Sequence, residues 1–454
     1  MKRILIIIML CIPLILLNAI TLEESIILAK QNNKEMLAEK SGFESAKWAK
    51  KNAFTNFLPK VTFNSRLVRI DDETYDQANE IGQIPVFNSG IPTGDYIPFS
   101  AAAMGSGFYK TTYTNDITVQ QPIFNGGKVI LGYQMAELAR QQAELAVKNK
   151  EKDLTYAVAS TYFGILKLQD LKILSEKSLN STLSHLQTVL KKYEVGTAKK
   201  SDVLQWQVKM KNDETTIREI ENSIKEITGY WQNLLGKAES DLPSKITRTE
   251  YDFEIADYTL KNDAEIDLAV DDFMQNVKKS SPTIQTLDIA KKLMQKNYKM
   301  AQGEFLPSLN LQYSYQIESD DKWNFDGEDN WNLAAVFSWP IFSSGTNYTN
   351  LKKARFDLKK TEYETQWAEE NYLVAAENAL QKLITKARIV EDNKTALEYA
   401  RENHNIINNL FTQGLVTNTE LLDAETMLFG SEMNLVSAYY DYILVKYEMQ
   451  KYTK

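Results

Sequence analysis

Phe57-Leu58-Pro59-Lys60-Val61 and Phe305-Leu306-Pro307-Ser308-Leu309 are one short passage written twice. The spacing from 57 to 305 is 248 residues, and Leu22-Glu23-Glu24 returns as Val270-Asp271-Asp272 at the same spacing. A second passage, Pro122-Ile123-Phe124-Asn125-Gly126-Gly127, returns as Pro340-Ile341-Phe342-Ser343-Ser344-Gly345, 218 residues on. Tyr193-Glu194-Val195-Gly196 and Phe411-Thr412-Gln413-Gly414 keep that spacing of 218, as do Asp202-Val203-Leu204 and Glu420-Leu421-Leu422. The spacing falls by 30 residues between the two proline landmarks, so the first half carries one 30-residue insertion there. Self-similarity of this kind marks a duplicated structural unit. The expected organisation is repeat 1 over 20–236, a linker over 237–263 and repeat 2 over 264–454.

Each repeat reads as helix, strand, strand, long helix, turn, helix. Thr21 with Glu24 forms a capping box that opens the first helix, expected to run to about Thr55. A strand is expected over about 60–70, where Val61, Phe63 and Leu67 alternate with Thr62, Asn64 and Arg66. A second covers about 112–122, with Tyr113, Ile117 and Val119 opposite Thr114, Asp116 and Thr118. Repeat 2 alternates more cleanly over about 308–318 and 331–341, through Leu311, Tyr313 and Tyr315, then Trp331, Leu333, Phe337 and Trp339. Each run has about the length of a membrane-spanning β-strand, with aromatics placed like an interfacial girdle. A half-buried soluble sheet would alternate in the same way.

After Gly127 and Gly345 the chain runs proline-free for more than about sixty residues, roughly 95–100 Å of helix at ~1.5 Å per residue. Leu179, Leu183, Leu186 and Leu190 have coiled-coil spacing, and Leu383, Val390 and Leu397 recur every seven residues. Turns at about 193–200 and 411–418, carrying Gly196 and Gly414, reverse the chain into returning helices with Ser201 and Thr419 as candidate N-caps.

Residues 1–19 read as an export signal: basic Lys2 and Arg3, an apolar run from Ile4 to Leu17, and Ala19 before the cleavage point. Cys11 follows Leu10 inside that run, which argues against lipidation there. The 454 residues contain 52 Lys and Arg against 60 Asp and Glu, a net charge of −8, which disfavours sequence-blind nucleic-acid binding. One cysteine and two histidines, His185 and His404, exclude Cys-rich zinc modules and a disulfide framework. No nucleophile–base cluster or phosphate loop is visible, so no enzyme and no cofactor is expected. Beyond residue 19 no apolar stretch reaches helix-spanning length, so a membrane crossing would be made by strands. Four strands cannot close a barrel, and open edges cannot face lipid, so that reading forces an oligomer.

The doubled Phe-Leu-Pro junctions at Pro59 and Pro307, the Pro-Ile-Phe turns at Pro122 and Pro340, and the glycine tip turns, in this order, resemble the TolC-like outer-membrane factors, the outer-membrane efflux proteins. The likeness covers nearly all of the chain beyond the leader. One departure is Asn33-Lys34-Glu35, where such proteins often have Asn-Pro-Glu; Ser281-Pro282-Thr283 keeps the proline. The resemblance implies a mixed α and β membrane protein. Three copies would build one twelve-stranded outer-membrane barrel, continued by a long α-helical periplasmic barrel. Pro59, Pro122, Pro307 and Pro340 would mark the barrel–tunnel junctions, and 237–263 an equatorial region. Residues 71–110 would form a long external loop and 319–330 a shorter one. The implied partners are a homotrimer, a periplasmic adaptor (membrane fusion) protein, an inner-membrane transporter of the RND, ABC or MFS class, and outer-membrane lipid. The implied function is a passive exit duct of a tripartite efflux pump or a type I secretion system in a Gram-negative outer membrane.

The same alignment makes Glu420 and Asp423 the candidates for an acidic ring at the pore constriction, where carboxylates attract cations. Glu420 reads equally well as a first-turn acid favoured by the helix dipole. Val416 stands where the family often has a basic latch residue, which leaves Lys199 or Lys200 to supply one. Asp71, Asp72, Glu73 and Asp76, and likewise Asp320, Asp321, Asp326, Glu328 and Asp329, read as solvated loop acids without EF-hand spacing. His404 matches Leu186 across the repeat and reads as a seam residue with no second histidine near it. Tyr439, Tyr440 and Tyr442 read as packing. The competing function is a periplasmic coiled-coil structural or adaptor protein; against it, the whole helix–strand–helix unit is doubled.

Overall fold

The structure, a computed structural model, describes residues 19–78, 80–99, 109–237, 242–320, 322–323, 325–326 and 328–453. The expected leader therefore lies outside the described residues, apart from Ala19. The elements are α1 (Leu22–Asn32), α2 (Lys34–Thr55), β1 (Lys60–Arg69), α3 (Asp72–Ala78), β2 (Gly82–Asn88), β3 (Ile91–Phe99), β4 (Thr111–Asn125), α4 (Lys128–Glu194), α5 (Lys200–Leu235), α6 (Asp252–Leu260), α7 (Asp263–Ser280), α8 (Pro282–Gly303), β5 (Ser308–Ser319), β6 (Glu328–Ser338), α9 (Thr346–Thr412) and α10 (Asn418–Gln450). Among the described residues no helix is long and apolar enough to cross a membrane. The chain divides into two compact units. One is Ala46–Ala139 with Lys291–Thr361; the other is Met1–Ser45, Arg140–Ala290 and Glu362–Lys454.

The first unit holds an antiparallel sheet in the order β1-β4-β5-β6. Its register stacks like with like. Phe63, Ile117, Tyr315 and Trp331 lie in one row across the strands, and Val61, Val119, Tyr313 and Leu333 in another. The rows between them are polar: Asn64, Asp116, Gln316 and Asn330, then Thr62, Thr118, Ser314 and Asn332. Asn64 donates to Asp116 at 2.9 Å, and Thr118 donates to the same carboxylate at 3.1 Å. Side chains alternate along a strand, so the sheet has one apolar and one polar face. The apolar face is uncovered, with Trp331 66% and Phe337 63% exposed. A contiguous aromatic face left open in this way requires lipid or protein against it.

The duplication is exact in register. The β1–β4 pair Lys60↔Gln120 becomes the β5–β6 pair Ser308↔Ser338 when the two spacings are applied. Two junction bonds repeat as well: Gln121 Nε2 donates to the Phe57 carbonyl, and Trp339 Nε1 to that of Phe305, both at 3.1 Å. Gly126 and Ser344 occupy matching left-handed positions, with φ of +65° and +51°. A Cβ on Gly126 would lie 2.2 Å from the Gly303 carbonyl oxygen, so two backbones meet where no side chain fits.

Three expectations for this region need correcting. The 71–110 segment is not a plain loop: its described residues form α3 and a β2–β3 hairpin turned by Ser89 and Gly90, both at positive φ. Pro85, Pro92 and Pro98 hid those strands, and a two-stranded ribbon tolerates them because both its edges are free. Asp71 is not a free loop acid, because Thr74 N–H donates to its carboxylate at 3.0 Å to start α3. Strand β6 runs from Glu328 to Ser338 rather than over about 331–341, so Glu328 and Asp329 belong to a strand and not to the loop, and Asp329 accepts from Tyr315 Oη at 3.1 Å. Among the described residues those beyond Ser338 have no strand to pair with.

The second unit is helical. Its main core gathers Tyr162, Phe163, Trp231, Leu383, Tyr440, Tyr442 and Ile443. The first helix breaks at Asn33 instead of running on to Thr55. Asn33 Oδ1 accepts from Glu35 N–H at 3.0 Å and Met36 N–H at 3.1 Å, while its Nδ2 donates to the Leu234 carbonyl at 3.2 Å. Ser281, followed by Pro282, makes the matching break between α7 and α8. The 237–263 linker is not merely a connector: α6 buries Ile255, and its Asp252 accepts from Tyr439 Oη at 2.5 Å. Tyr440 likewise donates to Asp170 at 2.8 Å, so these tyrosines bond as well as pack. The heptad seam is buried at Leu383, Val390 and Leu397 in α9, but in α4 Leu183 and Leu190 stay exposed and Val189 joins Leu186 inside.

Candidate gate at the helical turns

Both helix pairs turn on a left-handed glycine. Gly196 has φ +79° and Gly414 φ +75°, conformations that glycine adopts without a Cβ penalty. The bonds match: Thr197 N–H donates to the Lys192 carbonyl at 2.8 Å, and Leu415 N–H to that of Leu410 at 3.0 Å. The second turn is closed by Thr417, not Thr419. Its hydroxyl accepts from Glu420 N–H, and the Glu420 carboxylate accepts at 2.7 Å from both the Thr417 N–H and its hydroxyl. The first returning helix is opened at Lys199, not Ser201, by a bond from its N–H to Asp202 at 3.0 Å.

These contacts separate the two candidate ring acids. The Thr417 N–H, then the Thr417 hydroxyl, hold the Glu420 carboxyl below its ordinary range, and Glu420 is spent as a cap. Asp423, one turn deeper on the same helix face, is exposed. Neither candidate latch lysine reaches the second hairpin. Lys200 lies over Tyr193 of its own hairpin at 5.7 Å, and Lys199 contributes its backbone to the cap. Val416 packs against a small apolar cluster of Leu186, Val189, Val203, Trp206, Phe411 and Leu421.

Besides this apolar cluster, part-buried polar contacts join the hairpins inside one chain. Trp206 Nε1 donates to Asn418 Oδ1 at 2.6 Å, and Asn418 Nδ2 donates to Gln205 at 2.9 Å. Higher on the same helices, Glu425 Oε1 lies 2.9 Å from His185 Nε2 and 3.0 Å from His404 Nε2, and accepts from Ser181 at 3.0 Å. The expectation that His404 has no second histidine near it is therefore wrong: the chain's two histidines meet on one carboxylate oxygen. Burial pushes the Glu425 carboxyl up, but the bonds to His185 and His404 outweigh it and hold it down at about 2. The repeat contained a signal, since His185 and His404 stand one residue off the 218-residue spacing. Among the described residues no group of three or more His, Cys, Asp or Glu is arranged to hold a metal ion.

Comparison with known proteins follows the same architecture. The profile of the family described as Outer membrane efflux protein matches residues 26–236 and 273–445. The chain is 19% identical over 387 residues to the outer membrane protein TolC of Salmonella enteritidis, covering 82% of this chain and 75% of TolC. It superposes on the CmeC outer membrane channel of Campylobacter jejuni with a TM-score of 0.73 at 15% identity, over 95% of this chain and 85% of CmeC. The outer membrane protein VceC of Vibrio cholerae gives a TM-score of 0.72 at 14% identity, over 95% of each chain.

Proposed function

Because the chain belongs to the outer membrane efflux protein family, we propose that three copies close one twelve-stranded barrel and serve as the exit duct of a tripartite efflux pump or a type I secretion system. Its role is that of an outer-membrane efflux channel.

The observation that carries it is the repeat itself. Strands β1 and β6 end the sheet with one free edge each, a liability that proteins cover or pair. The pairing of β1 with β4 transfers onto β5 with β6 residue for residue. Applying the same two spacings to the β4–β5 pairing carries it onto β6 of one copy and β1 of the next. The pair Val119↔Tyr313 becomes Phe337 beside Ser65, and Ile117↔Tyr315 becomes Ala335 beside Leu67. Parity is kept, so the side of the sheet that carries the aromatics continues from copy to copy. The uncovered aromatic face then meets lipid, and the polar face lines the lumen. A soluble coiled-coil or adaptor protein would leave that face in water.

Passage needs no reaction. The glycine turns form the closable end, and a periplasmic adaptor and an energised RND, ABC or MFS transporter supply cargo there. The transporter class is tested by cross-linking the duct in cells, purifying it and identifying the joined chains. Recovery of an adaptor with an inner-membrane transporter supports the reading; a duct joined to neither contradicts it.

A further inference from the structure

We propose that His185, His404 and Glu425 form a proton-binding clasp that fastens the second helix hairpin to the first more tightly in mild acid. The three side chains come from α4, α9 and α10. They are largely buried, with side-chain exposures of 18%, 17% and 14%. One carboxylate oxygen receives both Nε2 atoms, so each ring carries its proton on Nε2 and leaves Nδ1 free for another. With both imidazoles neutral the trio has charge −1. One added proton makes it neutral; a second makes it +1.

A half-dry site accepts the first change and resists the second, because a single carboxylate balances a single imidazolium. The first proton converts a neutral donor into a charged one and shortens and strengthens its bond to Glu425. On His185 that charge lies over the face of Trp206, whose ring is stacked at 4.9 Å and 23°. Of the two imidazole bonds, that of His185 spans the hairpins, as the Ser181 bond to the same oxygen also does, and that of His404 ties α9 to α10 within the second.

The surrounding charges are already paired. From α5, Lys209 pairs with Asp213, which also accepts from Thr182 at 2.7 Å. From α4 and α9, Lys177 and Arg401 face Glu432 of α10 at 3.0 and 4.0 Å. Imidazole is the side chain whose ordinary titration falls between about pH 5 and 8.

The clasp lies within one copy of the chain, so it stands or falls apart from the duct reading; only its effect on passage rests on that reading. The test uses the full chain with Cys11→Ser and spin labels at Thr197→Cys and Gln413→Cys, both exposed on the turns. Distances are measured with EDTA present at pH 8 and pH 5.5. The distribution is expected to narrow about twofold in acid. His185→Gln with His404→Gln keeps an Nε donor at each place but cannot take the proton, and should abolish the response. In parallel, the two histidine ring signals are followed by NMR: they should titrate interdependently in the native chain and independently in Glu425→Gln. Distributions unchanged by pH, a response that survives the double glutamine variant, or independent titration in the native chain would each overturn the proposal.

Discussion

Glu420 and Asp423 show how one helical turn separates two acids of the same charge. Glu420 is held by Thr417 and closes its turn, whereas Asp423 is exposed and uncommitted to a cap. If these acids ring a pore, Asp423→Asn should lower cation-over-anion selectivity several-fold in planar bilayers, measured as a reversal potential. Glu420→Gln should change selectivity less and loosen the turn instead. Glu425 gives the pH dependence its sign. Its folded value of about 2 lies below the ordinary 4.5, so its contribution is present above about 4.5 and lost as the pH falls through about 2. The contribution is on the order of 2 kcal/mol after discounting for partial exposure. Glu425→Gln should therefore speed hydrogen exchange of the hairpin ends at pH 6, with the difference shrinking toward pH 2. The turn glycines, and the reading of Glu420 as a first-turn acid, were legible in the sequence. The carboxylate under the histidines was not, because Gln207 stands at its place in repeat 1 and linear spacing cannot show three helices converging.

At the scale of elements, helix ends decide where the chain bends. Asn33 breaks α1 from α2 without a proline, by accepting two backbone N–H groups and donating to the end of α5. Gly236 lets that end approach, since a Cβ there would lie 2.8 Å from the Asn32 carbonyl oxygen. Asn33→Ala removes the cap and leaves the Leu234 carbonyl without this bond. It should cost about 1–2 kcal/mol, read as a lower urea midpoint for the helical unit, while Asn33→Asp should recover part of the cap. Strands β1, β4 and β5 were legible because two periods of alternation, one polar and one apolar, run through each. The break at Asn33 was missed because apolar periodicity continues across it. The β2–β3 hairpin was missed because its prolines read as loop.

For the whole molecule, the proposed assembly follows from the duplicated strand pairing. A closed barrel removes both free edges, whereas one copy leaves β1 and β6 open. The repeat was visible as two spacings, but the register it dictates required the observed strand pairs. The most direct measurement places Ser65→Cys and Phe337→Cys in one chain with Cys11→Ser and treats outer membranes with a short thiol cross-linker. Links between copies are expected in a ladder that stops at three, and they should be lost when Phe337→Cys is exchanged for Ser338→Cys on the opposite face. A detergent-independent monomer, links confined to one chain, or equal linking from both faces would contradict the proposed assembly.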